Sequence, residues 1–291
     1  MLTLFVPPFI SVVYKYMITP DEDLLESFRN VFGYMISVLS FLLATQLQAA
    51  LKSNALGVQR FNNVCRTLIM TSVEFCSMQD TAWDEHTMHN IRGILSCFPG
   101  LIKWHFRKSV NVDLLFTSME VVNGKKVYHY LKDTTPEVYC ELKQYTPDLG
   151  EFASVMYILG NQIEKLNNGK SSSTSAWHKI YTIWGSINDI FNNEDPDMVK
   201  WFMNVCMTTF IFLLPIQFTE LGLFWSMISS FLVSYFFLGL WIASRKVGNP
   251  FLENVGAVFP TVTDDAIKTV KSINAIFKNR RDKPLDSICN F

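Results

Sequence analysis

Three uncharged apolar runs constrain this chain more than any other feature in it. They cover residues 31–51, 201–219 and 221–244, and Glu220 is the sole charge between the last two. A helix needs about 20 predominantly apolar residues to cross roughly 30 Å of hydrocarbon. Each run is long enough to span a bilayer, and the last two read as a tight helical hairpin. A fourth run, residues 1–19, is broken by Pro7, Pro8 and Lys15. Its charge comes late and bulky Tyr16 and Met17 follow it, the reverse of a signal peptide, so it reads as an uncleaved first span. Composition agrees with a membrane protein: 49% of residues are hydrophobic and 18% charged, against about 25% charged in soluble domains. The 25 basic and 26 acidic residues nearly cancel, to a net charge of −1, which supplies no basic field for nucleic acid.

The short connections set the expected sidedness. Asp21, Glu22, Asp23 and Glu26 outweigh Arg29 between the first two runs, and Glu220 lies between the last two. Arg245, Lys246, Lys268, Lys271, Lys278, Arg280, Arg281 and Lys283 follow the last run. Positive charge concentrates on the cytoplasmic side of membrane proteins, so both termini and the long middle segment are expected there. The expected organisation is residues 1–51 for transmembrane helices one and two, 52–198 for a cytosolic helical region, 199–244 for helices three and four, and 245–291 for a cytosolic tail. The fold class is all-α, in a multi-pass integral membrane protein.

Within the middle segment, Phe61, Val64, Cys65, Leu68, Ile69 and Val73 recur at helical spacing. Further helices are expected over 84–108, interrupted by Pro99, and over 147–166 and 177–191, with 170–175 as a flexible connection. Asn123-Gly124 suits a hairpin turn, and a helix pair joined by a turn is equally allowed there.

Catalytic constellations are sparse. No GxGxxG, Walker loop, GxSxG or HExxH occurs, so no enzyme or cofactor is expected. The six cysteines, Cys65, Cys76, Cys97, Cys140, Cys206 and Cys289, form no CxxC pair and read as small apolar residues. His86 and His89 could share a helical face as metal ligands, but a solvated surface is the better reading without a third ligand. Residues 103–108, Lys-Trp-His-Phe-Arg-Lys, interleave basic and aromatic side chains and read as a snorkelling amphipathic face. Asp264 and Asp265 read as solvated carboxylates.

The order of two spans, a long helical insert, two spans and a tail resembles that of bestrophins, in particular the bacterial and plant or algal bestrophin-like anion channels. Several strings carry the resemblance. Tyr235-Phe236-Phe237-Leu238-Gly239-Leu240, leading to Asn249-Pro250-Phe251, is similar to the family's last span. Phe212-Leu213-Leu214-Pro215 is similar to its third. Ile190 to Pro196, the helix with Phe98-Pro99 and His105-Phe106-Arg107, and the tail Pro284-Leu285-Asp286-Ser287-Ile288-Cys289 match further family strings. After span two, Leu51-Lys52-Ser53-Asn54 keeps a positive charge and the Asn but not the family's aromatic residues. The acidic calcium clasp of the animal members is reduced to Glu253.

The resemblance implies a homo-oligomer, pentameric by family, that passes small inorganic anions such as chloride across a lipid bilayer. It places the membrane neck of the pore on span two at Leu43, Leu47 and Leu51, and implies a second, cytosolic constriction to which no residue here corresponds. The residues themselves offer a rival wall, because Ser37, Phe41, Thr45 and Gln48 form a mixed strip at helical spacing. The alternative function is a non-conducting membrane scaffold of the same fold that docks partners through its cytosolic helices.

Overall fold

The computed structural model describes residue 13 and residues 22–77, 84–107, 111–167, 173–191, 197–218, 221–251 and 262–281. Apart from residue 13, the first apolar run lies outside the described residues, as do Glu253 and the tail string around Cys289. The chain divides into two units interleaved in sequence, residues 1–55 with 193–249 and residues 56–192 with 250–291.

The longest element is α1, Glu22–Ser77, a single helix of 56 residues. It begins before the second apolar run and continues well past Lys52, where that run ends. No proline interrupts it, and a helix whose residues can all donate their backbone N–H has no cause to break.

In the first unit, the N-terminal part of α1 packs with α8 (Asp197–Gln217) and α9 (Leu223–Val247). The core there is Phe32, Leu39, Leu43, Met203, Met207, Phe210, Ile211, Leu214, Phe237 and Leu238. Phe32 stacks on Phe210 with ring centroids 5.4 Å apart, and Phe210 meets Phe237 at 4.9 Å. Ser226, Ser230 and Ser234 form a buried line along α9, the small-residue packing that lets membrane helices approach. Arg245 lies over the Trp241 ring at 5.1 Å, a pairing of cation and aromatic ring that suits a membrane–water boundary. Two described helices are long and apolar enough to cross a membrane, within Arg29–Ser77 and over Leu223–Val247, and Trp201–Gln217 is a shorter apolar helix.

The second unit is built around α2, Glu85–Phe106. Asp84 caps its start, accepting from the His86 N–H at 3.2 Å and the Thr87 hydroxyl at 3.0 Å. Every residue from 94 to 104 is buried, so this stretch is covered on all sides, the condition of a central helix. Pro99 lies inside the helix without ending it, and the expected interruption is corrected to continuity. Lys103 corrects the expectation of a snorkelling amphipathic face over residues 103–108. It is fully buried, with Nζ 5.4 Å from the Trp104 ring and 4.0 Å from Met119 Sδ.

The short α3 (Val112–Leu115) leads into β1 (Thr117–Val122) and β2 (Lys125–Tyr130), an antiparallel hairpin in the register Val122↔Lys125. Asn123 and Gly124 adopt φ of 51° and 75°, the two positive values of a type I′ turn. The all-α expectation is thus corrected by one small sheet in an otherwise helical chain, because the twist of a type I′ turn matches that of antiparallel strands. β1 crosses α2 at Gly100, where an added Cβ would lie 2.1 Å from the Thr117 carbonyl oxygen.

The remaining elements of this unit are α4 (Leu131–Thr134), α5 (Pro136–Leu149), α6 (Glu151–Asn167), α7 (Ser173–Phe191) and α10 (Val262–Arg281). Gly150 (φ 78°) separates α5 from α6, inside what the sequence suggested as one helix over 147–166. From α1, Phe61, Val64, Cys65 and Leu68 enter the core as expected, but Val73 is 43% exposed and Phe75 takes the buried place.

Candidate functional site

Helical periodicity on α1 decides which side chains the chain's own packing leaves uncovered. In the first unit the buried edge is Phe32, Leu39, Leu43 and Ala50. The uncovered face carries Tyr34, Ser37, Phe41, Ala44, Thr45, Gln48, Leu51 and Lys52. Phe41 is 68% exposed.

The three neck positions implied by the resemblance do not share one environment. Leu43 is 4% exposed within the core, Leu47 is half-buried, and Leu51 is 41% exposed. A ring at Leu43 would need that side chain out of its packing against α8 and α9. The mixed strip of Ser37, Phe41, Thr45 and Gln48 is uncovered throughout.

The chemistry of that strip is mild. Ser37 Oγ donates to the Gly33 carbonyl at 3.1 Å and Thr45 Oγ1 to the Leu42 carbonyl at 2.9 Å, so both hydroxyl donors are spent within the helix. Gln48 and Lys52, one turn apart, are exposed and supply an amide donor and a positive charge. No carboxylate lies on the helix between Arg29 and Lys52. In the second unit the exposed positions of α1 include Gln59, Asn63 and Arg66, together with Met70 and Val73.

Among the described residues, the Asn after span two and the closing Pro-Phe make structural contacts. Asn54 Nδ2 donates to the Val247 carbonyl at 2.7 Å, satisfying an orphan acceptor in the last turn of α9. Gly57 faces Pro250, whose Cγ would stand 2.8 Å from an added Cβ. Phe251 stacks on Phe106 at 4.5 Å and meets Phe61 edge-on at 5.9 Å. The closing Pro-Phe therefore seats against α1 and the end of α2.

The histidines singled out in the sequence belong to the second unit. His86 stands 3.5 Å from Glu137, and His89 Nε2 is 3.0 Å from the Thr134 carbonyl. Among the described residues no group of three or more His, Cys, Asp or Glu side chains is arranged to hold a metal ion.

No family model and no curated protein matches the sequence. Solved structures do. A bacterial bestrophin homologue from Klebsiella pneumoniae superposes with a TM-score of 0.60 at 13% identity, covering 97% of this chain and 99% of that one. A single-substitution variant of such a homologue from the same organism gives 0.62 at 14% identity, over 95% and 98%. A further chain, described as a membrane protein, gives 0.63 at 12% identity, over 94% and 97%. The chain has the bestrophin-like fold.

Proposed function

We propose that the chain is one subunit of a homo-oligomeric anion channel, fivefold by its resemblance, in which the uncovered face of α1 forms the membrane part of the pore wall. The observation that carries this reading is the strip from Ser37 to Lys52, left bare by the protomer, free of carboxylates and ending in a positive charge. Conduction requires a wall that admits an ion without holding it. Ser37 and Thr45, their donors already used, bind nothing tightly, and Phe41 can turn an electropositive ring edge toward a partly dehydrated anion. Of the neck positions implied by the resemblance, Leu51 lies beside the strip and would narrow it. Leu47 stands at its margin, and Leu43 anchors the helix to its own core. The acidic loops face outward and the basic tail inward, in keeping with the charge bias of short loops.

The test is a cysteine scan in protein reconstituted into bilayers. Cysteines at 37, 41, 45, 48 and 51 should react with a small charged thiol reagent and change the current, while one at 43 should not. Phe41→Ala should raise conductance, and Lys52→Glu should cut anion over cation selectivity. An oligomer that carries no anion current under any condition would instead support the scaffold reading.

A further inference from the structure

We propose that the second unit carries a binding site for a small oxyanion, a carboxylate or phosphate group, in the cavity lined by α2, the β1–β2 hairpin, α4 and α10. The cavity measures about 190 Å³, far more than a single water requires. On one wall, Arg92 Nε donates to Asn274 Oδ1 at 2.8 Å, and Asn274 Nδ2 donates onward to Glu120 Oε1 at 2.8 Å. The relay ends at His129, whose Nε2 stands 3.4 Å from the other Glu120 oxygen. These contacts fix the guanidinium through its Nε, and its two terminal amino groups meet no acceptor among the described residues. Ser96 lines the same cavity. It is 5% exposed, and its Oγ is covered without a hydrogen-bond partner.

A buried hydroxyl left unpaired and a pre-oriented guanidinium fork both lack the same thing, an acceptor. An oxyanion supplies it, because a carboxylate or phosphate presents paired oxygens that match the fork and a further lone pair for a hydroxyl. Glu120 does not spoil the site for an anion. One of its oxygens is taken by the Asn274 amide and the other faces the His129 ring, and Arg92 offsets its charge. A hard cation does not fit, since no three acidic or imidazole ligands converge among the described residues.

Equilibrium dialysis of the purified full-length protein against inorganic phosphate and, separately, succinate tests this, together with thermal unfolding of the unliganded protein. Saturable binding of at least one probe is expected. Phosphate alone would identify a phosphoryl ligand, succinate alone a carboxylate. Arg92→Gln should weaken binding about tenfold or more, as expected for loss of a hydrogen bond to a charged group. Ser96→Ala should weaken it severalfold and leave the unliganded melting temperature unchanged or higher, because it removes an unpaired hydroxyl; a packing role for Ser96 would lower it. Ser96→Ala decides the matter if Arg92→Gln does not fold. No saturable binding of either probe, or binding that survives both substitutions, overturns the proposal. The readout needs no ion current, so it stands or falls separately from conduction.

Discussion

The two units solve the burial problem in opposite ways. The second wraps α2 completely and closes the hairpin and α10 over it, so that Phe61, Phe98, Phe116 and Ile94 reach zero or near-zero exposure. The first gathers a much smaller core and leaves Tyr34, Phe41, Trp201, Phe224, Trp225, Tyr235 and Phe236 more than half exposed. It also covers Gln46 Oε1, Gln217 Oε1, Ser234 Oγ and Trp241 Nε1 without a hydrogen-bond partner among the described residues. Apolar patches of that extent mark surfaces meant for lipid or for another protein. The second unit carries its solvent-excluding layer within itself, whereas the first leaves a large apolar surface that its own packing does not cover.

The contrast is most easily broken at Gly100. A Gly100→Ala side chain cannot coexist with the Thr117 carbonyl, so either β1 or α2 must move. The expected cost exceeds about 4 kcal/mol, the range reserved for severe core disruption, and size-exclusion profiles of detergent extracts should lose the folded peak. Next in size, Phe98→Ala should cost about 3–5 kcal/mol, while Phe41→Ala should change stability by less than about 0.5 kcal/mol, as for an uncovered position. Comparable losses in denaturant titrations of the two variants would show that the contrast between the units is false.

Thiol chemistry sharpens the comparison inside the second unit. Burial pushes the Cys65 and Cys97 thiols up to about 12, so very little of either is thiolate at neutral pH. Exposed Cys140 should label with a thiol reagent in minutes, and the buried pair only after denaturant opens the unit.

The smallest effect concerns acid. The Tyr139 hydroxyl, and more weakly Lys132 at 3.5 Å, hold the Asp113 carboxyl below its ordinary value of 3.8. A carboxyl lowered by folding contributes stability above the unfolded value and loses it as pH falls through the folded one. Asp113→Asn should therefore slightly flatten the loss of stability below about pH 4, seen in melting temperatures measured from pH 6 down to 3.

Much of the architecture could be read from residue patterns. The apolar runs led to α8, α9 and the N-terminal part of α1, and Phe61, Val64, Cys65 and Leu68 announced their buried edge. The full reach of α1 was hidden because hydropathy stops at Lys52 while helix formation does not; charge ends a membrane run but leaves the backbone free to continue. The neck illustrates a subtler limit. Positions four apart advance 400° on a 3.6-residue helix, so each step from Leu43 to Leu47 to Leu51 turns about 40° further round. Over two steps the series passes from the covered side of α1 to the uncovered one, as the exposures of Leu43 and Leu51 record. Asn123-Gly124 named its own turn but not whether strands or helices flanked it. The Arg92–Asn274–Glu120 relay carried no local signal, because Asn274 lies 182 residues from Arg92 and 154 from Glu120.

That sequence separation bears on how the protein is made. Domains generally fold as units from the N-terminal end as the ribosome delivers them. Here α10 is the last described element, and it supplies Val262, Ala266, Ile267 and Ile273 to the second unit's core. Both apolar helices of the 197–247 hairpin leave the ribosome before it does. During that interval the nascent second unit lacks part of its core, and its exposed apolar side chains are open to misassociation. The second unit therefore cannot finish folding until the 197–247 hairpin has left the ribosome, and a chain stalled between residues 247 and 262 would be a natural substrate for chaperones or proteases.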